Sequence, residues 1–282
     1  METLERIADL RHALGARRRE GARIGFVPTM GYLHEGHLRL VDEARHRAAV
    51  VVMSIFVNPL QFGPTEDLAR YPRDPLGDSA KASARGVDFL FAPTVDEMYP
   101  AQRRVVVTPA ALAGEWEGAV RPSHFTGVLT VVAKLFNIVQ PDVAVFGQKD
   151  IQQATLVRAM VRDLDFPVEI VVAPTVRESD GLALSSRKSY LEPWQRREAL
   201  VLSRALAAIA RKFEAGERSG PALEALGQSV LATEPAVRVD YLALVDPERL
   251  RRVDAAAPGT IALVAGRVGG TRLIDNVILG AQ

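Results

Sequence analysis

The sequence predicts an α/β fold, a doubly wound parallel sheet that is followed by a smaller α+β domain. Continuous apolar runs alternate with segments of helical periodicity over the first two-thirds of the chain. Such runs are typical of parallel strands that are buried on both faces of a sheet. The pattern changes after SSRKSYLEP, where two helical segments precede three strand-like segments. We therefore predict two domains, residues 1–175 and residues 176–282.

Each helix or strand of the first domain is predicted either from helical spacing or from a continuous apolar run. Residues 1–20 have the spacing of an amphipathic helix. Apolar runs predict strands at 23–27, 49–57, 87–93, 142–147 and 168–174, with a shorter candidate at 105–109. Helical spacing predicts helices near 37–48, 76–86, 127–139 and 150–163. Strands that alternate with helices in this way indicate βαβ units and a parallel sheet.

The second domain has its elements in a different order. Residues 194–213 predict a long helix, GERSGP at 216–221 interrupts the pattern, and a second helix continues to about 231. The strand-like segments that follow are VRVDYLALVD, TIALVAGRV and TRLIDNVIL. Gly269 and Gly270 lie between the last two segments and form a hairpin signal.

Composition excludes several classes of function. The chain has 282 residues, of which 48% are hydrophobic, and 35 basic against 34 acidic residues give a net charge of +1. This balance gives no reason to expect a nucleic-acid or anionic-membrane partner. The absence of cysteine rules out disulfides and thiolate metal sites and fits a reducing compartment. Because we find neither a signal-peptide core nor an apolar run of membrane-spanning length, we expect a cytoplasmic protein.

The stretch PTMGYLHEGH, residues 28–37, joins a predicted strand to a predicted helix. His34 and His37 are three residues apart, so they share one face of a helical turn. A helix N-terminus favours an anion, and two imidazoles there can donate hydrogen bonds to phosphate oxygens. One alternative is that one histidine caps the helix while the other packs. A zinc site is a second alternative, although the spacing is not H-E-x-x-H and no cysteine is available.

A second polar cluster, FVNPLQFGPTEDLARYPR, follows the predicted strand at 49–57. Ligands of open parallel sheets bind at the carboxyl ends of the strands. The neutral amides of Asn58 and Gln61 can orient a hydroxyl or a carboxylate without burying a charge. Seen alone, an Asn-Pro pair is usually only a turn.

Two more clusters, VFGQKD and RESDGLALSSRKSYL, have residues suited to phosphate. Gly147 allows close approach of a ligand, Lys149 carries a positive charge, and Asp150 can cap the next helix. The loop at 185–188 combines two serine hydroxyls with a guanidinium and an ammonium group. The alternatives are a surface lysine with a capping aspartate and a solvated linker between domains.

Together the four clusters predict a nucleotide and a small polar acid as ligands. Neither a P-loop nor a G-x-G-x-x-G motif after the first predicted strand is present. The triphosphate would then be held by the histidine pair, Lys149 and the Ser185–Arg187 loop. This set suits attack on the α-phosphate, which forms an adenylate and releases pyrophosphate.

These motifs resemble the pantothenate synthetase (pantoate–β-alanine ligase) family. PTMGYLHEGH is similar to its form of the HIGH motif of nucleotidylyl transferases, and the LSSR stretch is similar to its counterpart of the KMSKS loop. Further matching motifs, in the family's order, are FVNPLQF, EGAVRPSHFTGV, VFGQKDIQQ, DGLALSSR, VDYLALVD and TRLIDN. The resemblance covers residues 20–280.

The resemblance implies an ATP-dependent condensation of (R)-pantoate with β-alanine to pantothenate, AMP and pyrophosphate, through a pantoyl-adenylate intermediate. It also implies Mg²⁺, a Rossmann-like N-terminal domain that binds ATP and pantoate, a smaller C-terminal domain and a cytoplasmic homodimer. The alternatives are another HIGH-motif nucleotidylyl transferase and a non-catalytic binding protein. The amides of Gln61 and Gln153 suit a small hydroxy acid and disfavour the first alternative.

The roles of individual residues are also implied by the resemblance. The implied ATP-binding residues are Met30, Gly31, Tyr32, Leu33, His34, Glu35, Gly36, His37, Gly147, Gln148, Lys149, Asp150, Val176, Leu184, Ser185, Ser186 and Arg187. The implied catalytic residues are His34, His37, Lys149, Ser185, Ser186 and Arg187, with His37 as proton donor. Gln61 and Gln153 would hold pantoate, β-alanine would arrive beside Gln61, and Asn58 is assigned to the same substrate site. Glu117 and Arg121 also lie in matching motifs.

Three positions depart from the family's pattern. Gln148 stands where the family commonly has glutamate, and Lys188 stands where it commonly has asparagine. Gly77 interrupts the family's acidic stretch and offers no metal ligand, so Asp78 remains as the implied magnesium ligand.

Overall fold

The computed structural model describes residues 1–64, 66–100 and 104–281. The chain divides into two compact units, Met1–Gly147 with Leu156–Pro174, and Gln148–Thr155 with Thr175–Gln282. The domain boundary at 175/176 stays a prediction. None of the helices in the described ranges is long and apolar enough to cross a membrane.

A six-stranded sheet forms the first unit. Its strands are β1 (Glu2–Leu4), β2 (Ile24–Thr29), β3 (Val50–Ile55), β4 (Phe89–Phe91), β5 (Val143–Gly147) and β6 (Glu169–Ala173). The spatial order is β1-β4-β3-β2-β5-β6, and every pair is parallel. The predicted doubly wound parallel sheet is therefore confirmed.

Helices connect these strands. They are α1 (Ile7–Arg19), α2 (Glu35–Arg45), α3 (Pro75–Ala84), α4 (Val95–Met98), α5 (Glu117–Val120), α6 (His124–Val139) and α7 (Ile151–Asp163). Short 3-10 turns lie at Pro59–Gln61, Leu68–Arg70, Ala111–Ala113 and Gln148–Asp150.

The sheet is covered on both faces, as its apolar strands predict. Phe26 of β2 meets Phe136 of α6, with the ring centroids 6.5 Å apart. Its neighbour Val27 is buried in a cluster with Leu40 and Val41 of α2. Successive side chains of a strand point to opposite faces, so α2 and α6 lie on opposite sides of β2. Full burial of one such side chain stabilises the fold by about 1.5–3 kcal/mol.

The strand order reverses direction at the centre of the sheet. The chain proceeds from β2 to β3 on one side and later returns to β5 on the other side of β2. The connections that leave β2 and β5 therefore diverge, and ligands of open parallel sheets bind at the carboxyl ends of strands at such a point. Residues 30–37 follow β2 directly at this edge, and Asn58 follows β3.

An antiparallel sheet and two long helices form the core of the second unit. The helices are α8 (Pro193–Glu214) and α9 (Gly220–Leu231), a 3-10 helix at Ser186–Tyr190 precedes them, and the strands are β7 (Val237–Val245), β8 (Ile261–Val268) and β9 (Thr271–Ile278). Leu206 and Ile209 of α8 pack in one buried cluster with Leu244 and Val264 of the sheet. Val268 pairs with Thr271 across the predicted glycine hairpin. The smaller α+β unit is therefore confirmed.

Two sequence predictions for the first unit are wrong. The N-terminal segment is not a continuous helix, because Glu2–Leu4 forms β1 and pairs with β4 at the edge of the sheet. The stretch at 105–109 is not a strand. Val105 is 78% exposed, and the Val107 amide donates to Thr130 Oγ1 of α6 at 2.9 Å, so this segment runs along a helix.

Candidate active site

The two histidines of PTMGYLHEGH cap the first turn of α2. His34 is the N-cap residue, and its Nδ1 accepts from the Gly36 amide at 3.1 Å. The His37 Nδ1 accepts from the His34 amide at 3.3 Å, and the two rings stack with centroids 4.0 Å apart. Because each Nδ1 is an acceptor, each neutral ring carries its hydrogen on Nε2. Capping therefore fixes the tautomer that presents two N–H donors.

Asp78 shapes the loop before this helix. Its two carboxylate oxygens accept from the amides of Tyr32 at 2.7 Å and Leu33 at 2.6 Å. Tyr32 has φ 52° and Gly31 has φ 82°, both in the left-handed region that most side chains avoid. A Cβ on Gly31 would lie 2.8 Å from Ile55 and 2.9 Å from Asp78, so this position needs glycine. The carboxylate thus holds the loop that presents the histidines.

The surroundings of Asp78 do not form a resident magnesium site. Asp78 is 1% exposed, and both oxygens already bind backbone amides. The described residues include no group of three or more His, Cys, Asp or Glu side chains that could hold a metal ion. Magnesium is commonly held by one or two carboxylates together with substrate phosphates. A Mg²⁺ ion held in this way would arrive bound to the phosphates of the nucleotide substrate.

Gln61 lies in the first unit with its side chain fixed at both ends. The Asn58 Nδ2 donates to its Oε1 at 3.0 Å, and its Nε2 contacts Met30 Sδ at 3.0 Å. Asn58 also donates to the Gly127 carbonyl at 3.1 Å and accepts from the Tyr99 hydroxyl at 2.8 Å. The first two sequence clusters therefore meet at Met30 and Gln61. These contacts make Asn58 a residue that orients Gln61.

The backbone of Gln61 is held by a second buried network. Its carbonyl accepts from His124 Nδ1 at 2.9 Å and from Arg121 Nη2 at 3.2 Å. Arg121 in turn makes two parallel bonds to Glu66, at 2.9 and 2.6 Å. A Cβ on Gly127 would lie 2.2 Å from the Leu60 carbonyl, so only glycine lets α6 approach this turn.

The imidazole of His124 is held neutral. Burial, and secondarily the charge of Arg121, lowers the pKa of His124 to about 4. An unfolded chain binds a proton to this ring near pH 6.5, whereas the folded protein does so only near pH 4. The stabilisation is therefore complete above pH 6.5 and is lost as the pH falls towards 4.

Lowering the pH from 7 to 5 is expected to reduce the free energy of unfolding by about 2 kcal/mol through His124 alone. Urea titrations of the wild type and of His124→Asn at both pH values measure this change. The variant should lose that part of the pH dependence. His46→Asn is the matched control, because His46 is exposed in the folded protein and its replacement should leave the slope intact. Equal slopes for wild type and His124→Asn would contradict the buried neutral histidine.

In the second unit, Lys149 and Ser185 line the same small cavity. Its other polar lining residues are Lys188 and Asp275, and its apolar lining comes largely from leucines of the loop, α8 and β9. The third and fourth sequence clusters are therefore brought together, because Lys149 and Ser185 line one cavity. An ammonium group and a hydroxyl group are donors of the kind that bind phosphate oxygens.

The loop that carries Ser185 is anchored within the second unit. Ser185 Oγ caps the 3-10 helix by accepting from the Arg187 amide at 3.3 Å. Glu178 pairs with both Lys188 and Arg196, and Arg196 also pairs with Asp180 at 2.6 Å. Partial burial, with a further effect of Arg196, lowers the pKa of Lys188. Lys188, which departs from the family's pattern, thus pairs with the same carboxylate that Arg196 links to the start of α8.

The remaining predicted site residues lie on the same segments. Glu35 is exposed at the start of α2 and pairs with Arg85 at 2.6 Å. The Leu184 amide donates to the Val176 carbonyl at 3.0 Å across the loop. Gln153 is half-buried in α7, while Asp150 is exposed. The ligand contacts assigned to these residues stay predictions.

Sequence reasoning gave no role to several residues that hold the site. His124 lies in the matching motif EGAVRPSHFTGV without an assigned role, and Tyr99 lies in none of the matching motifs. Asp275 and Asn276 lie in the matching motif TRLIDN, again without an assigned role. One signal was available, because aspartate and asparagine are disfavoured inside strands, yet TRLIDNVIL carries them side by side.

Comparison with known proteins identifies the family. The sequence model of the family described as pantoate-beta-alanine ligase matches residues 2–278. The chain belongs to this family. A pantothenate synthetase of Acidobacterium capsulatum is 55% identical over 291 aligned positions, which cover 99% of this chain and 97% of that protein. The pantoate–β-alanine ligase resemblance seen in the motifs is therefore confirmed.

Solved structures of pantoate–β-alanine ligases have the same fold. The pantothenate synthetase of Thermus thermophilus has a TM-score of 0.94 at 52% identity, with 99% of each chain covered. The pantoate–β-alanine ligase of Francisella tularensis, complexed with beta-gamma ATP and beta-alanine, has a TM-score of 0.81 at 30% identity over 100% of this chain and 99% of that one. The protein is thus a ligase of this family, and its activity as a pantothenate synthetase follows from the whole-chain match.

Proposed function

We propose that the protein condenses (R)-pantoate with β-alanine in two steps, through an enzyme-bound pantoyl adenylate. The observation that carries this proposal is the histidine pair of α2, whose capping bonds turn two Nε2–H donors away from the helix backbone. The cavity lined by Lys149 and Ser185 supports it with a second set of phosphate-binding groups. Membership of the pantoate–β-alanine ligase family supplies the substrates.

The first step joins pantoate to AMP. A pantoate carboxylate oxygen attacks the α-phosphorus of ATP, a new P–O bond forms, and the bond to pyrophosphate breaks. A carboxylate is already a nucleophile, so no general base is needed. The difficulty is bringing two anions together and stabilising the departing pyrophosphate, which preorganised N–H and ammonium donors can do by roughly 3–4 kcal/mol each. We assign this role to His34, His37, Lys149 and the Ser185–Arg187 loop.

The second step transfers the pantoyl group. The amine of β-alanine attacks the acyl carbon of the adenylate, a C–N bond forms, the C–O bond to AMP breaks, and the amine loses a proton. We assign pantoate binding to Gln61 and Gln153 and β-alanine binding to the neighbourhood of Gln61. The bond that Gln61 accepts from Asn58 and the bond that it donates to Met30 Sδ support this assignment, because they fix the Gln61 amide before a ligand arrives.

Four further properties belong to this proposal. Mg²⁺ enters with ATP and balances phosphate charge, which fits the lack of a resident metal cluster among the described residues. The protein acts as a homodimer in the cytoplasm. Its catalytic domain comprises residues 1–175 and its C-terminal domain residues 176–282. The family resemblance of the motifs supports each of these properties.

The proposed function is tested by pantoate-dependent exchange of labelled pyrophosphate into ATP, measured with Mg²⁺ and without β-alanine. We expect exchange only when pantoate is present, because the adenylate step must run in reverse. Addition of β-alanine should then yield pantothenate and AMP in equal amounts. Folded protein that gives no exchange with pantoate, or gives it without pantoate, would overturn the proposed reaction.

Replacement of Gly147 by alanine is expected to raise the KM for ATP by about tenfold while leaving the fold intact. A Cβ at Gly147 meets no atom within 4 Å, and its φ is not in the left-handed region. If ATP approaches this backbone, the added methyl group would clash with it, at a cost of about 1–3 kcal/mol. Steady-state kinetics at varied ATP measure the effect.

The matched control for this variant is Gly270→Ala in the β8–β9 hairpin. A Cβ there also meets nothing within 4 Å, and φ is again outside the left-handed region. Gly270→Ala should keep the wild-type KM. An unchanged KM in Gly147→Ala would remove Gly147 from the nucleotide site.

A further inference from the structure

Two adjacent buried polar residues in β9 have no role in the reaction as described so far. Asp275 is 6% exposed and Asn276 is 1% exposed. They lie near the centre of a strand, where these residue types are disfavoured unless their polar groups are satisfied. The hydrogen-bond partners of these two side chains therefore indicate why they are placed here.

The side chain of Asn276 binds the turn that carries Lys149. Its Nδ2 donates to the Gln148 carbonyl at 2.9 Å and to the Lys149 carbonyl at 3.0 Å. Its Oδ1 accepts from Gln148 Nε2 at 3.1 Å. Both amide hydrogens and the amide oxygen are engaged on two successive residues, so the position of this turn depends on one side chain.

The side chain of Asp275 binds the start of the loop that carries Ser185. Its two oxygens accept from Arg177 at 2.6 and 2.9 Å, in the two-point geometry that fixes a guanidinium plane. Arg177 also donates to the carbonyls of Gly181 and Asn276, each at 3.1 Å. The Ser185 loop and the Gln148–Lys149 turn are thus held by two neighbouring residues of the same strand.

The two anchored segments meet at the cavity lined by Lys149, Ser185 and Asp275. Adjacent strand residues point to opposite faces of a sheet, so one short length of β9 can hold two different segments. A rigid strand fixes the geometry of a site better than the loops themselves could. Errors of about 1 Å in such a site can reduce a rate by about 10²-fold.

We propose that Asp275 and Asn276 are positioning residues of the adenylation reaction. Asn276 sets the backbone of the Gln148–Lys149 turn, and Asp275 sets the Ser185 loop through Arg177. Together they aim the Lys149 ammonium and the Ser185 hydroxyl at the same phosphate. This inference rests on the proposed function, because it assumes that these two groups bind ATP.

The test is a double-mutant cycle between Asn276→Ala and Lys149→Ala, measured by pantoate-dependent pyrophosphate exchange. If Asn276 acts through Lys149, Asn276→Ala should lower kcat/KM for ATP by about 10²-fold in the wild type and by less than about threefold in the Lys149→Ala background. The KM for pantoate should stay within about twofold. Equal losses in both backgrounds would overturn the proposal.

Loss of stability is controlled by Leu223→Ala, because Leu223 of α9 is fully buried in the core cluster of this unit. Leu223→Ala should lower Tm but keep kcat/KM for ATP. If Asn276→Ala does no worse than this control at equal Tm, the positioning role is wrong. If wild-type protein binds ATP in calorimetry but shows no exchange, the proposed function fails, and the effect of Asn276→Ala on the Kd for ATP still tests the positioning role.

A second pair of variants gives an answer even if Asn276→Ala does not fold. Asp275→Asn removes the charge that holds Arg177 and should lower kcat/KM for ATP by about tenfold or more. Asp240→Asn is its matched control, because Asp240 of β7 binds Arg272 at 2.6 Å in the same sheet. Equal activity of the two variants would overturn the role of Asp275.

Discussion

Replacement of Lys149 by alanine is expected to lower the rate of pantoate-dependent pyrophosphate exchange by about 10²–10³-fold, the loss typical of removing one donor to developing charge. Lys149 lines one cavity together with Ser185, and its ammonium group can neutralise a phosphate as a point charge. The free energy of unfolding should change little, because the turn is held through the backbone carbonyl of Lys149. Exchange kinetics and urea unfolding of the same preparation measure both quantities.

The matched control for this variant is Lys212→Ala. Lys212 is an exposed lysine near the end of α8, and its replacement removes the same charge from the same unit. Its exchange rate should equal that of the wild type. A Lys149→Ala protein that is well folded and turns over at a near-normal rate would remove Lys149 from the chemistry.

Replacement of His34 by asparagine is expected to separate capping from catalysis. Asparagine is among the best N-cap residues, so its oxygen can accept from the Gly36 amide as His34 Nδ1 does. The free energy of unfolding should stay within about 1 kcal/mol of the wild type. The exchange rate should nevertheless fall by about 10²-fold, because the Nε2–H donor is lost.

His37→Gln makes the same test at the other ring. Glutamine at the third helical position is the usual partner in a capping box, so the bond to the His34 amide can be kept. The control is Ser219→Asn, which replaces the N-cap residue of α9 by another good cap residue. It should leave the rate of pyrophosphate exchange unchanged. If both histidine variants keep normal exchange, the pair serves only to cap the helix.

The sequence was sufficient to predict the layers of the fold, because their signals are local. Apolar runs such as AVVVMSIFV identify a strand buried on both faces without knowledge of its neighbours. β1 was missed for the opposite reason. Glu2 and Thr3 are exposed, and only pairing with β4, almost ninety residues away, makes this segment a strand. The exposed valines at 105 and 106 gave the converse error, because β propensity alone does not supply a partner strand.

For the candidate site, too, local features could be predicted from the sequence and long-range contacts could not. His34 and His37 could be identified from spacing, since a capping turn is built from residues close in sequence. The environment of Gln61 could not be predicted from the sequence, because His124 and Gly127 contact the 58–61 turn from more than sixty residues away. The sequence also did not show that the histidines bind the backbone amides of Gly36 and His34 through Nδ1. Because capping uses Nδ1 and phosphate binding would use Nε2, the two alternatives are compatible.

The carboxylate of Asp78 has a consequence for the thermodynamics of nucleotide binding. The left-handed turn at Gly31 and Tyr32 aims successive amides at one point, an arrangement that otherwise attracts a phosphate. Here the protein supplies its own anion, so this loop is ordered before any nucleotide arrives. ATP therefore meets a surface whose conformational entropy was already lost on folding. The affinity for ATP then reflects new contacts and is not reduced by the ordering of this loop.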